Sequence, residues 1–159
     1  MRLYVKENDT ETMRKGSKGG TLGNTLTLLI FALVLTCAVA VYSQPPPIPQ
    51  GAICDECGMA IDRDSKFAAS VIDKKGGKFF FCDTGDMLYH LKKTKMTVQS
   101  VYVRDYASGE WIDGEKAWYV LNKKFVTPMY WGIVAFRSDA EAKKWGHVVD
   151  FNSAFGLIK

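Results

Sequence analysis

The sequence predicts an α+β fold in which two tandem β-β-α-β units follow an N-terminal transmembrane helix. Two observations carry this. An uncharged apolar run fills 21–43, and two later stretches share one outline of strand, strand, capped helix and strand. The chain has 159 residues, 47% of them hydrophobic and 24% charged, which fits one ordinary domain with an appendage and excludes a large multidomain enzyme. A net charge of +4 is too diffuse to mark a nucleic-acid surface, so no such partner is expected.

Residues 1–20 form a basic tail: Arg2, Lys6, Arg14, Lys15 and Lys18 stand against Glu7, Asp9 and Glu11. The 21 residues from Leu22 to Tyr42 are mostly Leu, Ile, Val, Ala and Phe. A helix of that length spans about 30 Å, the thickness of a hydrocarbon core. The next charge after the run is Asp55, so the asymmetry places the tail in the cytoplasm and the rest outside. The expected location is the bacterial inner (cytoplasmic) membrane, single-pass, with a periplasmic or extracytoplasmic C-terminal domain. Ala38-Val39-Ala40 has the small-x-small pattern of a signal cleavage site, so a cleaved leader is the alternative to an anchor. Residues 44–50 hold four of the five prolines and read as a semi-rigid spacer.

Residues 51–159 carry the fold. In the first unit, Phe67–Asp73 and Lys78–Cys82 read as strands joined by a turn at Lys75-Gly76-Gly77. Asp83 or Thr84 caps a helix reaching about Leu91, with Met87, Leu88 and Leu91 on one stripe, and Val98–Arg104 alternates as a strand. Asp105–Lys116 is rich in turn residues. In the second unit, strands are expected at Ala117–Leu121, Gly132–Phe136 and Val148–Val149. Ser138 and Glu141 form a capping box for a helix through about Trp145, and a terminal turn covers Phe151–Leu157.

The exported part holds three cysteines, an odd number, so at least one lacks an intrachain partner. Cys54-Asp55-Glu56-Cys57-Gly58-Met59 lies in a loop expected to be exposed. One reading is a thiol-disulfide redox protein using Cys54 and Cys57, although no strand enters the motif and no helix leaves it. Another is a zinc-stabilised adaptor ligated by Cys54, Cys57, Cys82 and His90, whose second pair is loosely spaced. His90 also sits four residues after Asp86, the spacing of a surface pair. The third is a soft-metal site, because thiolate and thioether donors together select Cu(I). Gly58 lets the backbone bend so that Met59 stays beside Cys57. Met129 lies in a loop after Pro128, outside any packing stripe. No His follows Cys57, which excludes the usual haem attachment, and no hydrolytic constellation is present.

Cys57-Gly58-Met59, Phe79-Phe80-Phe81-Cys82-Asp83, and Thr127-Pro128-Met129 ahead of Gly132–Phe136 together resemble the NosL family, the accessory proteins of nitrous oxide reductase. The resemblance covers most of 51–159. It implies a domain of two related β-β-α-β halves and a non-enzymatic copper chaperone; the domain is expected to be a monomer. Its cargo would be Cu(I), passed to a copper-receiving enzyme or its membrane assembly machinery. By the same resemblance the metal falls to Cys57, Met59 and Met129. Cys54 and Cys82, which the simpler family motif lacks, and His90 are expected in addition as auxiliary donors. Many members of the family are lipoproteins, whereas this chain is expected to use the helix at 21–43.

Overall fold

The computed structural model describes residues 44–158. The expected cytoplasmic tail (1–20) and membrane anchor (21–43) lie outside the described residues. No helix among the described residues is long and apolar enough to cross a membrane.

In the first unit, β1 (Ala69–Asp73) and β2 (Lys78–Phe81) form an antiparallel hairpin with Ala69 opposite Phe81. Asp73 shapes its turn: Oδ1 accepts from the backbone N–H groups of Lys75 (2.8 Å) and Gly77 (2.7 Å), a local bond that competes with strand extension. Helix α1 (Thr84–Thr94) starts at the N-cap Asp83 and stops at Lys95, whose left-handed backbone directs its N–H to the Leu91 carbonyl. Met87, Leu88 and Leu91 of α1 are buried, as their 3.6-residue spacing requires. Strand β3 (Val98–Arg104) then pairs with β1. A further strand, β4 (Trp111–Asp113), extends the edge with Trp111 opposite Arg104, so the sheet order is β2-β1-β3-β4.

The second unit repeats the plan. Strands β5 (Trp118–Leu121) and β6 (Ile133–Phe136), short helix α2 (Asp139–Lys143) and β7 (Val148–Val149) give the order β6-β5-β7. In each half the first strand is central, flanked by the second and third. The expected repeat is therefore present, with β4 as an addition to the first half. Helix α2 ends earlier than the expected Trp145. A final helix, α3 (Phe151–Ala154), is capped by Asp150, whose Oδ1 accepts from the Ser153 N–H at 2.7 Å.

The halves share one core. Val71, Phe81, Met87 and Val101 belong to the same buried cluster as Tyr119, Ile133 and Ala135. A parallel bridge between Asp105 and Ala135 joins the sheets, and Asp105 Oδ1 accepts from the Arg137 N–H at 3.0 Å. A second cluster holds Val120, Phe125, Val134, Phe136 and Ala142. The stretch 44–50, expected as a spacer, also packs on the domain. Ile48 is the one apolar side chain between its prolines, and both it and Pro46 are buried.

Candidate metal centre

Three segments converge at the open end of the first hairpin. The loop 54–59 closes on itself: Gly58, at φ +74°, donates its N–H to the Cys54 carbonyl, and the Cys54 N–H reaches the Met59 carbonyl at 2.7 Å. An isolated Ile53–Ala60 bridge holds the base. Asp55 fastens the loop to β2, donating its N–H to the Phe80 carbonyl (2.9 Å) and accepting the Phe80 N–H at Oδ2 (2.6 Å). Cys82 follows directly on that strand, and Asp86 lies in the first turn of α1.

The outcome is a compact donor set. The ligand atoms of Cys54, Cys57, Cys82 and Asp86 all lie within 4.8 Å of one another. Cys57 Sγ and Cys82 Sγ are 3.5 Å apart. Asp86 Oδ2 accepts from Cys54 Sγ at 3.4 Å and from Cys82 Sγ at 3.7 Å. The loop expected to be exposed instead buries Cys54, at 2% exposure, because its backbone is hydrogen-bonded to β2.

The Pro-Met turn is clamped to the same corner by two carboxylates. Asp83 caps α1 through Oδ1 to the Gly85 N–H (2.8 Å) and accepts the Met129 N–H at Oδ2 (2.9 Å). Trp131 Nε1 donates to Asp86 Oδ1 at 2.8 Å. The backbone of Met129 is thus fixed against the residue that follows Cys82, while Met59 is half exposed at 49%.

His90 takes another partner. Its Nδ1 lies 2.8 Å from Glu56 Oε2, and its ring stands 5.2 Å from that of Phe81. Glu56 also receives Lys93 Nζ at 2.6 Å. Burial works against ionising Glu56, yet Lys93 and His90 hold its carboxyl below the ordinary range. The surface pair of His90 with Asp86 suggested by their spacing does not form, because Asp86 points into the buried cluster. Asp86 itself is the donor the sequence reading missed. Its only local signal is its place four residues after Cys82, next to the buried Met87.

Burial dominates the thiol electrostatics. It pushes Cys57 up to about 11, against the Met59 backbone hydrogen bond, which lowers it. Burial, and then the neighbouring Cys57, raise Cys82 further. Both thiols are therefore protonated near neutrality, and a metal must displace their protons. We predict that metal affinity rises with pH through the neutral range, measured by competition titration at several pH values. The metal-free domain should behave oppositely. Between the ordinary thiol value of 9.0 and about 11, Cys57 ionises in the unfolded chain but not in the folded one. The unfolded state then binds fewer protons, so stability falls as pH rises across that window. Urea midpoints should fall less steeply there for Cys57→Ser than for the unaltered chain.

The NosL family model matches residues 45–151, two thirds of the chain. The chain belongs to the NosL family. Family membership assigns it a non-enzymatic role. A solved relative, the crystal structure of the copper chaperone NosL from Shewanella denitrificans, is 22% identical and superposes with a TM-score of 0.61. That match covers 69% of this chain and 93% of the other, so the NosL domain here has the same fold. No curated protein sequence matches the chain. Within the NosL domain, the Cys3Asp cluster is a candidate site for a metal ion.

Proposed function

We propose that this protein captures Cu(I) outside the cytoplasmic membrane and delivers it for assembly of a copper enzyme, with nitrous oxide reductase as the client the family implies. The observation that supports this reading best is the convergence of three thiols with a Pro-Met turn clamped beside them. Cys57 is the central ligand, since it is the least buried of the three thiols and lies next to Met59. A thiolate supplies charge and strength, whereas the thioethers of Met59 and Met129 are neutral, weaker donors that let the ion leave. Cys54, Cys82 and His90 are auxiliary, and His90 joins only by releasing Glu56.

The test is Cu(I) loading of the reduced, anaerobic full chain, followed by X-ray absorption at the copper edge. One copper per chain in a sulfur-dominated shell is expected, and no binding would overturn the reading. Disulfide exchange by Cys54 and Cys57 is disfavoured because burial keeps the Cys57 thiol protonated near neutrality.

The anchor belongs to the same proposal: residues 21–43 span the inner membrane once, with the domain on the far side as a single copy. A periplasm-dependent reporter fused after residue 159 should be active and a cytoplasm-dependent one silent. The reverse result would remove the topology. A soluble species beginning near Val41 would show cleavage instead of anchoring.

A further inference from the structure

We propose that the end of the first unit remote from the thiols is a docking face for an anionic phospholipid bilayer, with lysines of the β1–β2 turn and of the end of α1 as its contacts. The charge of the domain is segregated there. Of the 15 lysines and arginines in 44–158, six lie within 73–78 and 92–97, where Asp73 is the one acid. The other nine share the rest of the domain with thirteen acids. Folding joins the two lysine-bearing segments, because the Lys74 N–H donates to the Thr97 carbonyl at 3.1 Å. Lys74, Lys75 and Lys78 are thereby brought to the same end as Lys92, Lys93 and Lys95, and all six are exposed.

These lysines also differ from the domain's other cations in their partners. Lys116, Arg137, Lys143 and Lys144 each pair with a nearby carboxylate. Among the described residues, Lys74, Lys75, Lys78 and Lys95 have no ion-pair partner. Lys93 meets Glu56. Lys92 donates to the carbonyls of Phe155 (3.2 Å) and Ile158 (2.7 Å), which leave its charge uncancelled. A cluster of like charges repels itself, and an anionic surface relieves that repulsion.

The residue types choose between a lipid surface and a protein. Protein interfaces favour Arg, Tyr and Trp and are depleted in Lys, whereas neither segment contains Arg, Tyr or Trp. Lysine is a flexible, strongly hydrated point charge, suited to mobile head groups that it need not meet in one fixed geometry. The turn and the loop also line an open concavity of about 400 Å³, shared by Lys74, Lys75, Thr94, Met96 and Thr97, with room for a phosphate head group. The position suits the thiols as well. Helix α1 has 11 residues, about 16 Å of length, with Asp86 in its first turn and Lys92 and Lys93 in its last. A bilayer on the basic end leaves the donor set turned toward the aqueous phase. The docking face rests on the membrane location proposed above and needs no metal.

The test uses the full chain reconstituted in nanodiscs of phosphatidylcholine alone, and in discs with equal parts of phosphatidylglycerol. A brief pulse of an amine-reactive ester labels the lysines, and mass spectrometry reads the rate at each. Lys74, Lys75 and Lys95 should react about fivefold more slowly in the anionic discs, the factor that one lysine gains near such a surface. The protection should vanish at about 1 M salt, where the screening length falls to about 3 Å. Lys143 and Lys144, outside the face, should react equally in both lipids. A folded chain carrying Lys74→Gln, Lys75→Gln and Lys95→Gln should lose the protection of Lys78 and Lys92. Equal rates at Lys74, Lys75 and Lys95 in a chain incorporated in both discs would overturn the docking face and leave an acidic protein surface as the partner. A chain that enters neither disc removes the membrane anchor instead, and its soluble form is then mixed with vesicles of the two compositions. Sedimentation with the anionic vesicles alone sustains the face, and sedimentation with neither overturns it.

Discussion

Cys57→Ser is expected to lower Cu(I) affinity by about a hundredfold or more while leaving the fold intact. Even outer-shell partners of a metal are worth about 10–100-fold, so removal of the principal thiolate should exceed that range. The fold should survive because Cys57 is only half buried, serine keeps an acceptor for the Met59 N–H, and the backbone bonds of Gly58, Cys54 and Asp55 also hold the loop. Met129→Leu, which keeps bulk but not sulfur, should weaken binding by about tenfold, the outer end of what a neutral auxiliary donor supplies. Cys54→Ser is the less clean probe, since its thiol is buried and bonded to Asp86. The measurement is Cu(I) competition against a chromophoric chelator, with circular dichroism to verify the fold. If Cys57→Ser and Met129→Leu both bind as tightly as the unaltered chain, copper does not sit where the carrier reading places it.

The repeated β-β-α-β plan was legible because its signals are local. Lys75-Gly76-Gly77 mark a turn, Asp83 and Ser138 mark helix starts, and Met87, Leu88 and Leu91 mark a buried stripe. Strand β4 was not legible: three residues between Gly109 and Gly114 carry no alternation long enough to count, and pairing with β3 is what makes them a strand. The donor site divides in the same way. The cysteines identify themselves by type. Asp86 does not, because an acidic residue in the first turn of a helix ordinarily faces water and favours the helix dipole. What buries it is a tryptophan 45 residues later, and what occupies His90 is a glutamate 34 residues earlier. The loop 54–59 looked exposed for the same reason, since its anchoring partner Phe80 lies in β2.

Gly85→Ala sets local propensity against tertiary packing, and packing should win. Within a helix, alanine is favoured over glycine by about 1 kcal/mol. Gly85, however, is buried in the first turn of α1 beneath Trp131, and an alanine Cβ would overlap that side chain at Cβ, Cγ and Cδ1. The indole has no free route of retreat. Its Nε1 is bonded to Asp86, its ring lies 5.7 Å from that of Tyr89, and its backbone follows the Met129 amide held by Asp83. Relief requires moving the tryptophan, and with it the Pro-Met turn and the Asp86 clamp. Overpacking of this kind costs about 1–3 kcal/mol, enough to cancel the propensity gain and leave a net loss. Metal affinity should fall in the same variant, because the displaced elements are those that orient Asp86 and Met129. Gly156→Ala is the control, since a Cβ there meets nothing within 4 Å, and its stability should stay within about 0.5 kcal/mol of the parent. Urea unfolding of the two variants, followed by tryptophan fluorescence and circular dichroism, gives the comparison. A Gly85→Ala chain as stable as its parent, with unchanged metal affinity, would mean that the contact between α1 and Trp131 does not set the geometry of the site.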